Sequence, residues 1–273
     1  MFNTCFTPDG STVFSCGADN AVRMWTLDSA PPPNGIAQQI GVHDAPVKAV
    51  GFLQASSLVV SGGWDSKLKF WDTRSPNPAG VFHLPERCYD LDVRSNLMAV
   101  ATAGRHIITF NVSGPKPVEQ MRMVSPLQLQ TRCISILPDS TGFAVGSIEG
   151  RVAIEYVQAV QATKFKFKCS RQGSDAFSVN AIPFRNKPHG GTFATVGNDG
   201  VVSYWDKDNH LRLKTFKPIE RTIPCACFNA QGNLFAYASS YDWSRGSAHV
   251  QPGNEIFIHH VLDEEIRPQD KTH

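Results

Sequence analysis

The chain has 273 residues, 41% of them hydrophobic, 18% charged and 10% aromatic, and its formal net charge is +2. That length supports a large core, and all-β folds of this size form single domains. The near-neutral balance excludes a global electrostatic pull on nucleic acid, so any such site is a local patch. No apolar run approaches the ~20 residues of a membrane-spanning helix. Met1-Phe2-Asn3-Thr4 opens without the basic and apolar regions of a secretory signal. Cysteines stand at 5, 16, 88, 133, 169, 225 and 227. An odd number without framework spacing points to reduced thiols inside the cell.

In chain order, six segments repeat one plan: an apolar strand, a tight turn, and a second strand ending on an aromatic residue or its substitute. They cover residues 15–26, 60–72, 101–112, 145–156, 196–206 and 238–261. The turns fall at Asp19, Asp65, Gly104, Glu149, Asp199 and Asp242, in steps of 46, 39, 45, 50 and 43 residues. Such steps match the ~40–45-residue blade of a WD-repeat β-propeller. An all-β fold of that class is expected, with six repeat units visible.

The first unit opens at once on a strand, Phe2–Phe6, and the proline run 31–33 makes a stiff surface excursion. The second unit reads PVKAVGF, LVVSGG, KLKFWD and GVFHL; the third reads RCYDLDV, LMAVAT, HIITFNV and EQMRMV. Turn formers such as Pro8-Asp9-Gly10 separate the strands. The sixth unit has IPCACF, LFAYASS and EIFIHHV but no fourth strand. Five four-stranded units and one with three are therefore expected. Residues 1–262 form one domain, and 263–273 read as a polar, fraying tail. Open edges at both ends predict aggregation or a covering partner. Cys225 and Cys227 alternate in an apolar stretch as two small residues on one strand face, a metal or redox pair being the other reading.

Short carboxylates at Asp19, Asp65 and Asp199 accept hydrogen bonds from hairpin backbone. Six residues later stand Trp25, Trp71 and Trp205, whose indoles pack between blades and donate their N–H inside the fold. His43 is placed to complete a structural network with Ser61, Asp65 and Trp71. No glycine-rich phosphate loop, nucleophile elbow or metal-ligand cluster stands in the sequence. A non-enzymatic chain without cofactor or metal is expected, a degenerate catalytic propeller being the distant alternative.

The strings SGGWDSKLKFWDTRSPNP (61–78), GSIEGRVAIEY (146–156) and FAYASSYDWSRG (235–246) make the reading specific. With HDAPVK, LPERCYDLDV, FKFKCSR and WDKD, they resemble the WD-repeat mRNA export factor family of the nuclear pore. The related spindle-checkpoint propeller also carries an EGRVA-type segment. The resemblance implies a seven-bladed propeller, so the chain reads as an N-terminally shortened form lacking one blade and the strand that closes the last. It implies mRNA export, residence in the nucleus and at the pore with shuttling to the cytoplasm, and no membrane insertion. Implied partners are the GLEBS segment of an FG nucleoporin, single-stranded RNA, viral matrix-type RNA mimics, and spindle or checkpoint proteins. The alternative is a checkpoint scaffold holding GLEBS-like motifs of kinetochore kinases.

Arg151 follows the turn at Glu149, where a guanidinium suits a partner carboxylate. The family uses the arginine of this motif that way; an internal pair with Glu149 is the other reading. Trp64, just before the turn, and Tyr241 and Trp243 in an enlarged hairpin read as exposed anchors for the nucleoporin peptide or as blade-edge packing. On the opposite face, Lys164, Lys166, Lys168 and Arg171 alternate with Phe165 and Phe167. With Trp205, Asp206, Lys207 and His210, this patch suits RNA, cations tracking phosphate and an aromatic stacking on a base. Phe167, Trp205, Asp206 and Lys207 match the family's RNA groove, whereas His210 and Ser170 replace an Arg and a His. A solvated lysine face is the plainer alternative.

Overall fold

A computed structural model describes residues 1–27, 37–157, 164–186, 191–241, 246–250 and 253–267. The proline excursion, Asp242, Trp243 and the last six tail residues lie outside them. The described residues form two compact units, Met1–Ser125 and Pro126–His273.

The first unit holds three four-stranded antiparallel sheets in sequence order. They are β1 (Asn3–Phe6), β2 (Thr12–Cys16), β3 (Ala21–Thr26) and β4 (Gln38–Val42); β5 (Val47–Leu53), β6 (Leu58–Gly63), β7 (Lys67–Trp71) and β8 (Pro78–His83); β9 (Cys88–Arg94), β10 (Leu97–Thr102), β11 (His106–Asn111) and β12 (Val118–Val124). The second unit holds β13 (Thr131–Ile136), β14 (Gly142–Ser147), β15 (Arg151–Tyr156) and β16 (Phe165–Lys168), then the short hairpin β17 (Arg171–Gln172) and β18 (Asp175–Ala176). A further four-stranded sheet follows, β19 (Val179–Ala181), β20 (Thr192–Gly197), β21 (Val202–Asp206) and β22 (Leu211–Thr215). The last has three strands, β23 (Ala226–Phe228), β24 (Leu234–Ser239) and β25 (Glu255–His260). Among the described residues the expected five four-stranded sheets and one of three strands are observed, with one further short hairpin.

Burial follows strand position. The second strand of a sheet, packed on both faces, reads as an unbroken apolar run: all of Leu97–Thr102 and all of Gly142–Ser147 are buried. Outer strands alternate instead, as in Pro78–His83. Adjacent sheets stack face to face. Phe14, Val22 and Ile40 meet Val47, Val59 and Trp71 in one cluster, and Leu68 and Phe70 meet Leu91, Met98 and Phe110 in the next. In the second unit Ile154 and Val152 meet Ile182 and Phe193, and Tyr204 meets Ile223 and Phe235. Burying each such side chain contributes about 1.5–3 kcal/mol. Gly41 is a packing requirement, because a Cβ there would lie 2.6 Å from the Trp71 ring.

Three expectations change. Part of the supposed tail is packed: α1 (Asp263–Ile266) is helical, Ile266 is fully buried, and Glu265 accepts bonds from Leu262 N at 3.1 Å and His259 Nε2 at 2.8 Å. Cys225, just before β23, and Cys227, within it, are exposed rather than set in an apolar core. The hairpin β17–β18 is an addition to the expected strand plan, since two-residue strands carry no periodic signal.

Candidate functional site

The tight turns between second and third strands set the chemistry. In the second sheet, the Asp65 carboxylate lies 3.0 Å from His43 Nδ1 through either oxygen and accepts N–H bonds from Asp44 and Lys67, each at 3.2 Å. Trp71 Nε1 donates to Ser61 Oγ at 2.8 Å, and Ser61 Oγ lies 2.7 Å from His43 Nε2. A carboxylate can only accept, so the neutral imidazole keeps its proton on Nδ1, facing Asp65, and Nε2 accepts the Ser61 hydroxyl proton. Burial pushes the His43 pKa down, against the opposing pull of Asp65. Lys67, two residues past the turn acid, is paired with Asp44 at 2.6 Å. Every group at this turn is satisfied internally.

The same Trp–hydroxyl bond recurs between Trp25 and Ser15 at 2.8 Å and between Trp205 and Thr195 at 2.9 Å. Asp19 pairs with Arg23 at 2.6 Å. Burial raises the pKa of Asp199, which accepts from Val201 N and from the hydroxyl of buried Ser170. Ser170 is thus part of the turn's interior and not of a surface patch.

The turn at Glu149 differs. Gly150 takes a left-handed φ of +68°, and a Cβ there would run into the Ser170 carbonyl, so the loop admits only glycine without strain. The Glu149 carboxylate is buried and accepts Gln128 N at 2.9 Å. Arg151 forms a loose ion pair with that carboxylate, Nε to Oε2 at 3.8 Å, the internal pairing named as the other reading. The distance is too long for a hydrogen bond, and Nε has no hydrogen-bond partner among the described residues. Antiparallel register sets Lys168 directly opposite Arg151, and Arg171 Nε donates to the Glu149 carbonyl at 3.1 Å. Two residues expected in the RNA patch therefore join the arginine expected to hold a peptide. Arg151 and Arg171 thus stand at Glu149, on its carboxylate and its carbonyl, with Lys168 across the strand pair from Arg151.

The rest of the RNA constellation stands elsewhere. Lys166 and Lys168 point outward on β16 while Phe165 and Phe167 point in, as alternation requires. Phe167 rests against Trp205 at 4.6 Å and the core residue Phe193 at 6.1 Å. Arg212 covers the Trp205 ring at 5.8 Å. Phe165 meets His210 at 3.9 Å, and Lys164 pairs with Glu155 at 2.8 Å. Asp206 is buried and accepts Asp208 N at 2.8 Å and Asn209 N at 3.1 Å, holding a turn; Lys207 pairs with Asp208 at 2.5 Å. Phe167 and Trp205 therefore pack against each other, their rings tilted by 49°.

Trp64 is exposed and stacks on Phe2 at 6.0 Å, with Lys48 Nζ 5.9 Å from the Phe2 ring centre. Sequence reasoning missed Phe2 and Lys48, which adjoin Trp64 only through folding. Tyr241 Oη donates to Gly246 O at 3.2 Å.

Repeated four-stranded sheets whose turn acids and tryptophans close such hydrogen-bond chains define a WD-repeat protein of the β-propeller class. The "WD domain, G-beta repeat" model matches residues 3–26 and 36–72. The second match begins beside β4, the edge strand of one sheet, and ends with the Trp71-Asp72 dipeptide of the next. The chain is 45% identical to the "mRNA export factor" of Bos taurus, over 99% of this chain and 76% of that protein. It is 43% identical to "Protein RAE1" of Arabidopsis thaliana over 98% and 89%, and 40% identical to the "Poly(A)+ RNA export protein" of Schizosaccharomyces pombe over 96% and 75%. The chain belongs to this mRNA export factor family.

Proposed function

We propose that the chain is a non-enzymatic adaptor in mRNA export, working in the nucleus and at the pore. It docks on the acidic GLEBS segment of an FG nucleoporin through Arg151, with Lys168 and Arg171 beside it. The observation that carries this reading is the Arg151 guanidinium, whose buried Nε lacks a hydrogen-bond partner among the described residues although a carboxylate lies 3.8 Å away. The Arg151 side chain keeps 31% of its surface exposed, so the guanidinium can meet a partner's carboxylate from outside. The names of the relatives, mRNA export factor and poly(A)+ RNA export protein, support the pathway. Contact with single-stranded RNA is proposed for the outward lysines Lys166 and Lys168, through phosphate rather than through Phe167 or Trp205, whose faces are occupied.

Pull-down of the full chain on an immobilised GLEBS peptide tests the docking site. Arg151→Glu is expected to abolish capture while leaving the circular dichroism spectrum unchanged. Undiminished capture by the variant would remove the proposed anchor. For RNA, affinity that stays constant as salt rises would contradict phosphate contacts.

A further inference from the structure

Three serine- or threonine-proline dipeptides occur in the sequence, at Thr7, Ser75 and Ser125. Their surroundings differ sharply. The Thr7 hydroxyl is spent within its own turn, donating to Asp9 at 2.5 Å and accepting from Thr12 N at 3.1 Å. Ser125 is 3% exposed. Ser75 stands exposed in the loop between β7 and β8, and its hydroxyl makes only long contacts with Asn77, both at 3.3 Å. Pro76 supplies no backbone N–H and biases Ser75 toward an extended conformation, the form in which a chain threads an active-site cleft.

The neighbouring charges suit a phosphate. Arg74 bonds Asp72 through Nε at 2.8 Å and Nη2 at 2.6 Å, and its side chain is 86% exposed. The loop borders a groove of about 550 Å³ shared with β4, whose lining includes two cations, Lys69 and Arg74, and no acid. A phosphoserine carries about −1.5 to −2 charges at neutral pH and three acceptor oxygens. A bidentate guanidinium favours that dianion over the single charge of Asp72, which the new phosphate also repels.

We infer that Ser75 is a phosphoacceptor for a proline-directed protein kinase, and that Arg74 then leaves Asp72 to hold the phosphate. In the transfer, Ser75 Oγ bonds to the γ-phosphorus of ATP and the bond to the bridging oxygen breaks. ADP departs with that electron pair, and the hydroxyl proton passes to the kinase's catalytic carboxylate. The groove changes from cationic to nearly neutral.

The test incubates the full chain with ATP and a purified proline-directed kinase that phosphorylates a control peptide in the same tube. Intact mass is expected to rise by one phosphate in the parent chain, in Thr7→Ala and in Ser125→Ala, and not in Ser75→Ala. An unmodified parent, or a phosphate retained by Ser75→Ala, overturns the assignment. Phosphorus NMR titration then reads Arg74 directly. The phosphoserine's second pKa should lie lower in the parent than in Arg74→Ala, and equal values would refute the clasp.

Discussion

Asp65 and Glu149 hold the same place in two hairpins, and the difference between them separates architecture from candidate function. Around Asp65 each charge has a partner: His43 on the carboxylate, two backbone N–H groups beside it, and Asp44 on Lys67, two residues on. Around Glu149 the acid is again buried, but the cation two residues on, Arg151, stays outside hydrogen-bond reach, and Lys168 and Arg171 add like charge. Native folds satisfy their buried polar groups. The Glu149 turn leaves a buried guanidinium nitrogen without a hydrogen bond beside two further cations, and the proposed docking rests on that contrast.

The largest expected effect lies on the closed side. Asp65→Ala strands His43 Nδ1 and two backbone donors, so it should lower unfolding free energy by about 3 kcal/mol in denaturant titration. A loss under about 1 kcal/mol would show that the network is decorative. Trp71→Phe removes a buried indole and its bond to Ser61, and should cost about 2 kcal/mol. Trp25→Phe removes the same bond at a site 38% exposed and should cost less than about 1 kcal/mol. Equal losses would mean that burial does not distinguish the two sheets.

Acidification sharpens the comparison. The folded-state pKa of His43 lies below its usual value near 6.5, so the unfolded chain binds the extra proton first. Stability is therefore complete above about pH 6.5 and falls as pH drops through that value toward the folded pKa. The midpoint of thermal unfolding should decline between pH 7.5 and 5.5 more steeply in the parent than in His43→Gln, and parallel curves would exclude His43 as the source. The smallest effect is on the open side. Lys168→Ala should weaken acidic-peptide binding about threefold and make it less dependent on salt. An unchanged salt dependence would take Lys168 out of the site.

Much of this was legible in the sequence. Turn acids at regular steps located the hairpins, and period-two alternation placed Phe165 and Phe167 on the inner face of β16. His43, Ser61, Asp65 and Trp71 were linked by spacing alone. Register was not legible. Alternation says which face Lys168 takes but not that it opposes Arg151, nor that Arg171 bonds the Glu149 carbonyl. Nor does a sequence reveal that Phe167 and Trp205 spend their faces on each other. Ile266 escaped notice because a four-residue helix with one apolar side chain carries no period.

A charge swap measures the central contrast most directly. Isothermal titration would compare an acidic GLEBS peptide, and the same peptide with its central acids changed to lysine, against the parent chain and Arg151→Glu. The parent should prefer the acidic peptide, Arg151→Glu should lose at least about 30-fold in affinity for it, and the lysine peptide should recover part of that loss only with the variant. Equal affinity of parent and variant for the acidic peptide would contradict the account.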